Sequence, residues 1–263
     1  MGAGLAEKPK WVIEKERAKR EEASRTFWLF GLHAVRDALL NPARQSKRLI
    51  LTKNAADRLA ETLAKTDLTP EMADARKFPA PIDPASVHQG AALEVKPLDW
   101  GGIENVVPEE GPATVLLLDR VTDPHNVGAI LRSAEVFGAS AVIAPARHSA
   151  PETGALAKSA SGALERQPYV RVKNLSAAME VLKTQGFHVI GLDGEADTTL
   201  QETLQKPGDR IALVLGAEGP GLRQKTRETC DELVRIAFSG DFGSLNVSNA
   251  AAVSLYACGN RGT

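Results

Sequence analysis

Cysteine is scarce in this chain of 263 residues: Cys230 and Cys258 are the only two, without CxxC or histidine-rich ligand spacing. A disulfide framework and a zinc site are therefore not expected, no metal is called for, and a reducing, cytoplasmic setting fits. Long apolar runs are missing too. Nothing approaches the roughly 20 consecutive apolar residues that span a bilayer, and the amino terminus lacks the apolar stretch of a secretion signal. An excess of charge of either sign is also absent, with 32 Lys plus Arg against 33 Asp plus Glu. No global field announces a nucleic-acid partner, so any such contact has to be local. Finally, the strand candidate Thr114–Leu118 is not followed by G-x-G-x-x-G, and no acidic residue ends the strand Ala141–Ala144. An ordinary dinucleotide-binding fold would need both.

What is present is enough apolar material, 43% of residues, for two ordinary domains. Residues 1–25 mix lysine, arginine and glutamate around Trp11 and read as a solvated tail. Residues 26–98 read as a small α/β unit, with helices over His33–Leu40 and Asp57–Lys65 and strands at Arg48–Thr52 and Ala91–Val95. Residues 99–112, rich in glycine and proline, read as a linker.

From 113 to 263 strand and helix patterns alternate. Strands are expected at Thr114–Leu118, Ala141–Ala144, Tyr169–Val172, Phe187–Leu192, Ile211–Leu215 and Leu233–Phe238. Helices are expected at Ala129–Phe137, Gly154–Glu165, Ser176–Gln185, Lys225–Asp231 and Asn246–Cys258. That alternation predicts a mostly parallel sheet covered on both faces.

Three separated blocks carry the chemistry: Asp123-Pro124-His125-Asn126-Val127-Gly128, Leu215-Gly216-Ala217-Glu218-Gly219 and Ser244-Leu245-Asn246-Val247-Ser248. Each joins a backbone-exposing turn to small polar side chains beside an apolar run, as a preformed pocket requires. In the helix after the first block, Ile130, Ala134 and Phe137 share a face and Arg132 lies off it, one turn beyond Asn126, where it can meet a ligand. Gly216, Gly219 and Gly221 follow an apolar strand, and missing side chains there let main-chain groups approach a ligand. The competing reading is a tight strand-exit turn, and for Ile236 and Leu245 plain core packing. Asn246 is also a natural N-cap for the last helix.

Together, and in this order, the blocks resemble the SpoU family of ribose 2'-O-methyltransferases in the knotted SPOUT superfamily. The resemblance implies an α/β trefoil-knot domain at 113–263, where connection rules alone favour an unknotted doubly wound sheet. Phe30–Val35 and His88–Gly90 are similar to an L30e-like RNA-docking domain found in family members acting on ribosomal RNA. It further implies S-adenosylmethionine as cofactor, held by Leu215, Gly216, Ile236, Ser244 and Leu245. Asn126, Arg132, Glu218 and Asn246 are the implied catalytic residues, with Arg132 anchoring a phosphate and orienting the hydroxyl. Where the family places Pro and Met after the isoleucine, this chain has Ala237 and Phe238. The implied partners are RNA, in the first place 23S ribosomal RNA, and a second copy in a homodimer packed through the carboxy-terminal helix. Transfer RNA as substrate, or an RNA-binding assembly factor without turnover, are the alternatives. Local basic groups for RNA are Arg44, Lys47, Arg48, Arg166, Arg171, Arg223, Lys225 and Arg227.

Overall fold

The computed structural model describes residues 26–83, 85–237 and 245–260. The tail around Trp11, together with Phe238 and Ser244, lies outside the described residues.

The first unit contains β1 (Phe27–Phe30), α1 (Leu32–Leu40), β2 (Ser46–Leu51), α2 (Lys53–Arg58), α3 (Ala60–Leu63), β3 (Glu71–Met72) and β4 (Ala91–Val95). Its sheet runs β1-β4-β2-β3, with β4 antiparallel to both neighbours and β3 parallel to β2. Instead of one helix over 57–65 there are two short ones. Thr52 caps the first by accepting the Ala55 amide at 3.3 Å, and Leu59 leaves helical geometry between them. The stretch read as a linker holds α4 (Ile103–Val106), and Ile103 and Val107 are buried against the larger sheet.

The second unit contains β5 (Ala113–Asp119), α5 (Pro124–Val136), β6 (Ala141–Pro145), α6 (Gly154–Ala160), β7 (Tyr169–Val172) and α7 (Leu175–Thr184). It continues with β8 (His188–Leu192), α8 (Leu200–Leu204), β9 (Arg210–Gly216), α9 (Gln224–Thr229), β10 (Glu232–Val234) and α10 (Val247–Gly259). The sheet order is β10-β8-β9-β5-β6-β7, with every pairing parallel. On β5, Leu116 and Leu118 face one core with Ile130 and Leu156, and Val115 and Leu117 face the other with Met179 and Val189. A central strand covered on both sides has to be apolar throughout, which is why it reads as an unbroken run. From β5 the chain moves to β6 and β7, then returns to lay β8 and β9 on the other side. The order therefore reverses between β5 and β9, the place where parallel sheets open a crevice at their carboxyl ends.

Two expected elements end four or more residues early. β10 stops at Val234 rather than reaching Phe238: its ladder with β8 ends at the pair Val234–Leu192, and Arg235 makes an isolated bridge to Thr199. The helix expected over 154–165 stops at Ala160, where Ser161 and Gly162 turn left-handed at φ +51° and +93°. A side chain at Gly162 would put its Cβ 2.0 Å from Asp37 Oδ2. That close approach joins the two units.

Their contact is also made by α6 lying on β1, where a Cβ at Gly154 would come within 2.3 Å of the Trp28 carbonyl oxygen. Beside it, Arg44 is fully buried rather than offered to RNA, a correction to its expected role. Its guanidinium grips Glu165 with two bonds of 2.9 and 2.7 Å and reaches Glu152 Oε2 at 3.2 Å and the Lys96 carbonyl at 2.7 Å. Burial pushes the Glu152 carboxyl above its ordinary range, and Arg44 opposes that shift. Arg166 bridges Asp37 at 2.7 Å and also pairs with Glu135, so it too is engaged within the protein.

Candidate functional site

Asp123 caps α5 by accepting the His125 amide at 2.9 Å, and Pro124 occupies the first turn, where its missing N–H costs nothing. The helix therefore begins five residues earlier than expected and delivers Asn126 from its first turn. Asn246 caps α10 in the same way, its Oδ1 accepting the Ser248 amide at 2.9 Å and the Ser248 hydroxyl at 2.5 Å. That leaves the Asn246 amide group to donate. It does so to Asn126 Oδ1 at 3.0 Å and to Glu218 Oε1 at 2.5 Å. The same carboxylate oxygen takes Asn126 Nδ2 at 3.3 Å and the Val247 amide at 3.4 Å. One residue from each of the three sequence blocks thus meets at one exposed cluster. Glu218 Oε2 takes no donor among the described residues.

Glu218 sits in the turn that leaves β9. There the Gly221 amide returns to the Ala217 carbonyl at 2.9 Å, with Gly219 and Gly221 at φ +81° and +68°. Gly216 has no room for a side chain: a Cβ would lie 2.2 Å from the Gly221 carbonyl carbon. The floor beneath the turn is fixed by Asp119, which stands opposite Gly216 in the β5–β9 register. Fully buried, Asp119 accepts the Arg223 amide at 2.9 Å and its Nε at 2.7 Å.

Beside the cluster is a cavity of about 260 Å³ at the carboxyl ends of β8, β9 and β10. Leu215, Gly216, Ile236 and Leu245, all expected to hold a cofactor, line it together with Val247 and Ala250 of α10. Ile236 reaches it from the loop after β10 rather than from a strand. Asp193 and Gly194 also line it and were missed. An Asp-Gly pair directly after the apolar strand 187–192 is a turn signal that could have drawn notice.

Arg132 does not join the cluster. It is six residues from Asn126, not one turn, and at about 100° per residue the two project about 120° apart around α5. Asn126 lies on the side that meets α10, where the rings of Phe137 and Tyr256 are 6.0 Å apart. Arg132 shares a side with His125, which contacts Ser159 of α6 at 3.0 Å, and with Val136. It is exposed and has no hydrogen bond or ion pair among the described residues. Glu135, three residues further along the helix, holds Arg166 instead of Arg132.

Several basic groups assigned to RNA have other tasks. Arg171 donates to the carbonyls of Ala150, Pro145 and Ala146, Arg223 holds Asp119, and Arg227 pairs with Asp193. Arg48 pairs with Glu71 at 2.9 Å on the surface. Among the described residues no group of three or more His, Cys, Asp or Glu is arranged to hold a metal ion.

The sequence profile of the SpoU rRNA methylase family matches residues 113–256. The 23S rRNA (guanosine-2'-O-)-methyltransferase RlmB of Pseudomonas syringae pv. tomato is 40% identical over 237 residues, covering 87% of this chain and 93% of its own. The Escherichia coli K12 protein of that name is 37% identical over 235 residues, covering 87% and 96%. Among solved structures, the SpoU methyltransferase AviRb of Streptomyces viridochromogenes, in complex with AdoMet, superposes with a TM-score of 0.75. It is 24% identical, over 92% of both chains. A TrmH-family putative RNA methyltransferase from Porphyromonas gingivalis gives 0.68 at 25% identity, over 95% of this chain and 94% of its own.

Proposed function

This chain belongs to the SpoU rRNA methylase family, and on that premise we propose that it methylates the ribose 2'-hydroxyl of a guanosine in 23S ribosomal RNA, with S-adenosylmethionine as methyl donor. The observation that carries the reading is the convergence of Asn126, Glu218 and Asn246 at the mouth of an apolar cavity. When bound, S-adenosylmethionine supplies a methyl group already activated by its sulfonium.

The residues fit that group. Leu215, Ile236, Leu245 and Val247 offer adenine an apolar wall, and the bare backbone at Gly216 lets main-chain groups reach its polar edge. The asparagines hold Glu218 by one oxygen and so aim the other outward, where a ribose hydroxyl can donate to it. What remains for the protein is orientation, which is worth orders of magnitude in a displacement between two bound partners. Ser244 completes the reading as a cofactor contact.

A second copy belongs to the proposal. Val136 and Tyr256 are 71% and 60% exposed, and with Phe137 and Val253 they form an apolar patch on α5 and the outer side of α10. The inner side of α10, through Val247, Ala251, Leu255 and Cys258, is already buried. Arg132 lies one turn before Val136 on the same side, so a copy seated on this patch takes Arg132 toward its own site. The same reading includes the trefoil knot, an L30e-like RNA-binding role for residues 26–98, and a cytoplasmic location.

Calorimetric titration is expected to show binding of S-adenosylmethionine and S-adenosylhomocysteine without added metal. Gly216→Ala should weaken it by about tenfold or more, since its Cβ must displace main chain that shapes the cavity. Mapping 2'-O-methyl groups in cellular RNA with and without the gene should show one guanosine of 23S rRNA losing its mark. No binding of either compound, with or without RNA, overturns the site. A mark lost from transfer RNA moves the substrate, and no lost mark leaves an assembly factor.

A further inference from the structure

Most arginines around the larger sheet are engaged: Arg166, Arg223 and Arg227 with carboxylates, Arg171 and Arg210 with main-chain carbonyls. Arg120 and Arg147 are exposed and have no such partner among the described residues. They are neighbours. Arg120 directly follows β5 and Arg147 follows the adjacent strand β6 by two residues, with the Ala150 amide donating to the Val121 carbonyl at 3.2 Å between the two loops. His148 stands next to Arg147, and Lys173 follows β7, whose Val172 carbonyl takes the Ala146 amide at 2.7 Å. All four are exposed at successive carboxyl ends of the sheet.

The loop carrying Arg147 and His148 is held from beneath. Arg171 donates to the Pro145 and Ala146 carbonyls at 3.2 and 3.1 Å and to Ser149 Oγ at 2.8 Å. Among the described residues of this unit, three non-glycine residues have left-handed backbone: Arg120 and His148, at φ +63° and +60°, and Ser161. Glycine would occupy that region freely, and an arginine and a histidine kept there against the local preference point to a use for the side chain.

We infer that Arg120, Arg147, His148 and Lys173 form a rim that grips the phosphodiester backbone of the RNA strand flanking the target ribose. The inference rests on the RNA-methylating reading above. Arg120 starts the segment that runs through Asp123 into α5, so the rim begins six residues before Asn126 and leads away from the reaction toward the β7 edge. Two exposed guanidiniums on neighbouring strand ends suit successive phosphates, each of which either fork can take with two hydrogen bonds. In a chain with formal net charge of −1, such a local concentration is where a polyanion is held.

The test is the double variant Arg120→Gly/Arg147→Ala, binding a 23S rRNA transcript over a series of salt concentrations. Glycine accepts the backbone at 120, so the melting temperature should not fall. The dissociation constant for RNA should rise about tenfold or more, and the slope of log affinity against log salt should flatten by about 1.4, from about 0.7 for each single-stranded phosphate contact. Affinity for S-adenosylmethionine and the rate at saturating RNA should stay within about twofold, so the loss appears in KM. Arg120→Lys/Arg147→Lys should keep the salt slope. RNA affinity and slope unchanged in a double variant that binds S-adenosylmethionine normally overturns the rim. A wild-type protein that binds the transcript with the full slope but never methylates it overturns the enzymatic reading instead, and leaves the rim standing.

Discussion

Replacing Arg132 by alanine lowers methyl transfer by about two or more orders of magnitude while leaving affinity for S-adenosylmethionine unchanged, the pattern of a lost positioning contact. The expectation rests on an arginine that is exposed, unpaired among the described residues, and located on the side of α5 next to the apolar patch. Arg132→Lys should recover little, because an ammonium does not reproduce the planar two-pronged donor. The geometry adds a sharper form. If Arg132 serves the site of a second copy, Arg132→Ala and Asn246→Ala proteins, each inactive, should regain measurable activity when mixed and allowed to exchange subunits. Single-turnover rates near wild type in either Arg132 variant at saturating RNA would remove the arginine from the mechanism. Inactive mixtures despite proven exchange would confine it to its own chain.

Arg44→Ala is expected to cost about 3–5 kcal/mol, the range for breaking a buried ion pair by removing one partner. Its side chain is 0% exposed, and its loss strands Glu165 and Glu152, 3% and 8% exposed, without their cation. The pH dependence has a definite sign. Burial already holds the Glu152 carboxyl above its unfolded value, and removing Arg44 raises it further. A carboxyl whose folded pKa is raised favours the folded state most when protonated, and that contribution is lost as pH rises from the unfolded to the folded pKa. The gap in melting temperature between wild type and variant should therefore narrow in mild acid and widen above neutrality. Chemical denaturation measures the cost, and thermal unfolding at two pH values measures the gap. A gap that widens in acid would mean that the carboxylates are not what destabilises the variant.

Legibility in the sequence followed how local each determinant is. Asn246 as N-cap, the glycine turn after the strand ending at Leu215, and β5 as an unbroken apolar run are set by neighbours a few residues away. α5 starts five residues before its apolar periodicity, because its first turn is set by the cap Asp123 and by Pro124, a local signal that periodicity does not carry. Thr199 and Glu202 form a capping box that opens α8, an equally local signal. The early end of α6 was of another kind, since the approach of Asp37 to Gly162 comes from a residue 125 positions earlier.

The sequence by itself determined that a parallel α/β sheet would form and that three blocks carry the chemistry, because periodicity, caps and glycine turns act through the chain's own local geometry. Only the tertiary structure decided which charges are spent inside the protein. Arg44, Arg171 and Arg223 look the same in sequence as Arg120, Arg132 and Arg147. The first three are taken up by carboxylates and carbonyls brought from other parts of the chain. The others are left facing solvent, and a cation's task depends on what the fold places within hydrogen-bonding reach of it.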